Sequence, residues 1–196
     1  MVELLVSMGI FAVVITMCVS FFIAMQKMQS VYRDQANLQQ EGRITSNIFS
    51  MQVSDAAVVY INDKNSDGSI CSDADVNNRT QNNDFEDYIA IKKNVSDTEA
   101  LVFACHEDNS SNTRYLMMGT LSVPVGTDLS PFTISSGNFG QLSWLSSNQV
   151  TIDDFQVANS STTYPRTLKF NLKVKGSSGI APEMQFPGYL VMNNEQ

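Results

Sequence analysis

No proline precedes Pro124, and between Val2 and Ser54 the only glycines are Gly9 and Gly42. The two residue types that most readily end a helix are thus almost missing from the first quarter of the chain. Charge is missing too, because no acid or base lies between Leu4 and Met25. That excludes a solvated surface helix there. Basic clusters are absent, and 12 Lys and Arg against 20 Asp and Glu leave a net charge of −8. This balance argues against nucleic acid or an anionic membrane surface as a partner of the folded part, and favours a cation as any small ligand. His106 is the single histidine among only three cysteines, too few ligands for a tetrahedral zinc set once Cys18 is assigned to the apolar run. No Ser or Cys nucleophile stands in a recognisable motif with a base and an orienting acid. The chain reads as a non-enzyme.

What is present begins with MVELLVSMGIFAVVITMCVSFFIAM, residues 1–25. At about 1.5 Å per residue this run is long enough to cross a hydrocarbon core of about 30 Å. A cleaved signal peptide is the alternative, but no basic stretch precedes the run, it is long for such a peptide, and no small-x-small pattern follows. One acid, Glu3, sits at its head. A lone carboxylate in apolar surroundings needs a cation, and Lys27, the first base in the sequence, lies about 36 Å further along a helix. Its partner must come from another chain or from a terminus, unless Glu3 marks the headgroup end of a membrane span.

Residues 26–55 continue the helix with an amphipathic pattern. Met28, Val31 and Leu38, then Ile44, Ile48 and Met51, recur at helical spacing, which predicts one helix of roughly 50 residues. Residues 56–196 change texture to short apolar runs divided by Asn, Asp, Ser and Gly. Strands are expected over Ala56–Ile61, Asp87–Lys93, Ala100–Cys105, Arg114–Gly119, Gln149–Val157 and Arg166–Gly176. In the last, Leu168, Phe170, Leu172 and Val174 alternate with Lys169, Asn171, Lys173 and Lys175, the pattern of an antiparallel strand with one wet face. EMQFPGYLVM adds an edge strand broken at Pro187. Asn62–Asp84 and His106–Arg114 read as surface loops. A long helix followed by strands, without βαβ alternation, is an α+β layout with an antiparallel β-sheet domain.

Three further constellations carry chemistry. Asp63, Asn65, Asp67 and Gly68 follow the first half of a calcium loop, but Ala74 stands where the bidentate Glu belongs, with Asp73 and Asp75 flanking it. The choice there is between an irregular Ca²⁺ site and a solvated Asn/Asp turn. Cys71 and Cys105 are either one disulfide in an oxidising compartment, contributing about 2–4 kcal/mol, or two free thiols in a reducing one. Asp153 and Asp154 are neighbours in a strand, so they are expected on opposite faces.

VELLVSMGIFAVV resembles the start of mature type IV pilins and type II secretion pseudopilins. There a cleaved basic leader ending in Gly precedes a Phe/Met-Thr-Leu-Val-Glu-Leu-Leu-Val run. Val2, Glu3, Leu4, Leu5 and Val6 match the end of that run, and Met1 stands where the family has Leu. Gly9 and Phe11, within SMGIF, together with QANLQQEGRITSNIFSMQVSDA and LSSNQVTIDDFQV…YPRTLKFNLKVKG, look like PilW-type minor pilins and the J-type minor pseudopilin. The proline that many major pilins carry midway along the apolar half is missing, which leans the same way. The resemblance implies a pilin-like fold, processing by prepilin peptidase, and residence in the inner membrane before assembly into an extracytoplasmic filament of pilin or pseudopilin subunits. It implies that Glu3 pairs with the methylated terminal amine of a neighbouring subunit, with Leu4, Leu5, Val6, Gly9 and Phe11 in the assembly surface. The rival expectation is a monomeric membrane-anchored binding module, taking Ca²⁺ in its acidic loop.

Overall fold

In the computed structural model, residues 2–62, 68–71, 84–85, 87–108, 113–123, 125, 134–135, 143–144, 150–159, 167–176 and 182–192 are described. Helix α1 runs without a break over Val2–Ser54, 53 residues, or about 80 Å at 1.5 Å per residue. Nothing in that stretch forces it to stop. Ten strands follow: β1 (Val58–Asn62), β2 (Asp84–Phe85), β3 (Tyr88–Lys92), β4 (Glu99–Asp108), β5 (Thr113–Ser122), β6 (Ile134–Ser135), β7 (Ser143–Trp144), β8 (Val150–Asn159), β9 (Thr167–Gly176) and β10 (Met184–Val191). Among the described residues they form a sheet of order β1-β3-β4-β5-β7, a second of order β10-β9-β8, and the short pair β2-β6. Every pairing is antiparallel. The fold is α+β, one long N-terminal helix with antiparallel sheets.

The C-terminal half of α1 packs on the inner faces of both larger sheets. Its buried stripe is Leu38, Gly42, Thr45, Phe49 and Val53, spaced three and four apart as a helix face requires. Phe49 is completely buried. Its ring meets Phe103 of β4, Phe155 of β8 and Phe170 of β9 edge to face, with centroids 5.3, 5.0 and 5.1 Å away, the geometry that ring quadrupoles favour. One helix side chain therefore ties the two sheets together. β9 alternates as its sequence predicts, with Leu168, Phe170, Leu172 and Val174 buried. β3 differs, since Tyr88, Ile89, Ala90, Ile91 and Lys92 are all buried. Its Ile89 and Ile91 face the helix-bearing core, while Tyr88 and Ala90 join a second cluster with Val102, Ala104 and Met117. Burial on both faces explains why this strand reads as a continuous run rather than an alternating one.

The helix contact departs from the expected stripe. Ile44 and Met51 are 43% and 58% exposed, and Met28 is 57% exposed. Large apolar residues misled because closest approach is set by the small residue Gly42. The Phe186 ring of β10 lies where a Cβ on Gly42 would stand. Gly42→Ala is expected to destabilise the domain by about 1–2 kcal/mol, since overpacking costs about 1–3 kcal/mol and outweighs the helix-propensity gain of at most about 1 kcal/mol. Urea unfolding of Gly42→Ala, Phe186→Leu and the double variant checks it. The double variant should recover most of the loss, because the two substitutions share one contact.

Pro187 does not break β10, which runs through it with Pro187 opposite Asn171. β10 is an edge strand, where a missing N–H facing outward costs no ladder bond. The opposing residue of Gly188 is Phe170, whose ring covers the space a Cβ would need.

Candidate functional site

Two features carry chemistry: the projecting half of α1 and the seam between the sheets. From Val2 to Ser30 every helix residue is exposed, and within this stretch Leu4 is 63% and Phe11 67% exposed. The segment is long and apolar enough to cross a membrane, and none of that window is buried. Such a helix near the N-terminus marks a membrane anchor or a signal segment. Its hydroxyls are already satisfied internally. Ser7 Oγ donates to the Leu4 carbonyl (3.0 Å), Thr16 Oγ1 to Ala12 (2.8 Å) and Ser20 Oγ to Thr16 (2.8 Å). These three hydroxyls therefore keep a hydrogen-bond acceptor when the helix enters an apolar medium. Gly9 has open space where a Cβ would be, so the surface there is a shallow notch. Glu3, Leu4, Leu5, Val6, Gly9 and Phe11 all lie on this exposed segment, with Glu3 in the first turn. A carboxylate in that position meets the positive end of the helix dipole.

The seam joins β8 to the five-stranded sheet. Cys71 and Cys105 form a disulfide, with Cα atoms 5.3 Å apart, and both residues are buried. Cys71 belongs to a described segment, residues 68–71 and here called the hook, that lies along the outer edge of β8. The Ile70 N–H donates to the Phe155 carbonyl, and the Val157 N–H donates to the Gly68 carbonyl, both at 2.9 Å. Gly68 has φ +78°, a conformation glycine adopts without a Cβ penalty. Ser69 Oγ donates to Asp154 Oδ1 (2.7 Å) and accepts from the Cys71 N–H (3.1 Å). The hook falls inside Asn62–Asp84, where a surface loop was expected, yet Ser69, Ile70 and Cys71 are each no more than 2% exposed. An apolar Ile-Cys pair in a polar stretch was the available signal.

Arg114 closes the same seam. It was expected at the join of a surface loop ending at Arg114 and a strand starting there; β4 and β5 extend to Asp108 and from Thr113, and Arg114 is 7% exposed. Its Nη1 donates to the Asp153 carbonyl at 2.8 Å. Burial lowers the guanidinium pKa, and the charges of Asp153 and Asp154 work against that fall. The register of β8 shifts between Ile152 and Asp154, a bulge with Asp153 as the extra residue. The bulge corrects the expectation that the two acids point to opposite faces. Asp154 pairs with Lys173 at 3.1 Å and Asp153 pairs with Lys175, and both lysines lie on the wet side of β9. The Asp154 hydrogen bond, then its charge, raises the Lys173 pKa. These pairs are solvent-screened and contribute little. What the raised Lys173 pKa contributes is present at neutral pH and is lost as pH rises through that raised value.

An open groove of about 420 Å³ lies beside the C-terminal turn of α1, walled by Gln52, Lys93, Asp97, Thr98 and Glu99. Asp97 is taken up in a turn, accepting from the Asn94 N–H at 2.8 Å. Among the described residues no three His, Cys, Asp or Glu side chains converge on a metal-sized point. The calcium expectation at Asp63, Asn65, Asp67, Asp73 and Asp75 falls outside the described residues. No protein-family model, curated protein or solved structure matches the chain.

Proposed function

We propose that the chain is a structural subunit, of minor type, of a type IV pilus or type II secretion pseudopilus. The observation that carries this reading is a single helix divided in two. Its C-terminal half is buried against the sheets, while its N-terminal half offers an exposed apolar surface headed by one acid. In the membrane that half is solvated by lipid before assembly. In a filament it packs against the same halves of neighbouring subunits, where dispersion and close approach at Gly9 replace lipid contacts. Glu3 then needs a cation in a dry setting, and the terminal amine of a neighbour supplies one. That pairing sets the axial register, because a carboxylate left unpaired there is costly. Prepilin peptidase acts on the chain first, and the sheet domain faces outward in the extracytoplasmic filament.

The test is Glu3→Ala in the native host, measuring the chain in the membrane and in sheared filaments or pseudopili. Membrane levels are expected to stay constant while incorporation falls at least about tenfold, a loss of about 1.4 kcal/mol or more per contact. Wild-type incorporation of Glu3→Ala would remove the register role. The membrane-anchored binding module gives a different pattern: no filament fraction with either chain, and a melting temperature that falls on calcium chelation.

A further inference from the structure

We draw no further inference here: the strongest candidate, the open groove beside the C-terminal turn of α1, is walled by charges of both signs at Lys93, Asp97 and Glu99, Asp97 is already taken up in its own turn, and nothing in the structure shows what fills it.

Discussion

Phe49→Ala is expected to lower the unfolding free energy of the sheet domain by about 3–5 kcal/mol, the range for truncating a fully buried aromatic side chain. The upper part of the range applies for two reasons. Phe49 is at 0% exposure, and its ring makes edge-to-face contacts with Phe103, Phe155 and Phe170 on three strands. Those contacts add to the area term. The void left by alanine opens where helix and both sheets meet, so no single element can relax into it. Domains rarely have more than about 5–15 kcal/mol in hand, so the variant stands close to unfolding at 25 °C. Urea unfolding of the full chain in micelles, followed by near-ultraviolet circular dichroism, measures the loss. Ile44→Ala is the control, because Ile44 lies on the same helix but is 43% exposed; it should cost less than about 1 kcal/mol.

Removing the disulfide is the second large effect. Cys71 and Cys105 are 34 residues apart, and the chain-entropy relation gives about 4 kcal/mol for a loop of that size. Cys71→Ala/Cys105→Ala should therefore lower the urea midpoint by nearly as much as Phe49→Ala. The two losses should also differ in kind. Disulfide loss acts largely on the unfolded chain and on the hook, whereas Phe49→Ala opens the core. Oxidised and reduced wild type, unfolded in parallel, separate the effect of the bond from that of the new side chains. A midpoint unmoved by reduction would show that the bond does not constrain the unfolded state.

Much of the fold is legible along the chain because it depends on short-range rules. The absence of proline and near absence of glycine up to Ser54 leave α1 nothing to stop it. The period-two pattern of β9 states which of its faces is dry. Legibility ends where contact partners are far apart in sequence. Ile44 and Met51 have helical spacing and suitable size, yet Gly42, Thr45 and Phe49 form the docked face, since what matters is which side accepts Phe186 and the ring cluster. Glu3 was legible as an acid heading an apolar run, a position unusual on physical grounds alone, and it lies with the apolar residues behind it on the exposed half of α1. The seam was not. Arg114 sits where an expected loop meets an expected strand, and residues 68–71 lie in a polar stretch whose composition describes a solvated loop.

The chain's own letters thus settle the long helix, its division into an apolar and an amphipathic half, and the antiparallel strands that follow, because those features arise from backbone sterics and the periodicity of burial. Tertiary structure alone decides the rest. It turns Asp153 and Asp154 to one face through a bulge, buries Arg114 against a carbonyl of another sheet, and lays residues 68–71 along β8 under a disulfide. The last two depend on groups brought together across 34 residues or more, and desolvating a polar group is tolerable only where such a distant partner is in place.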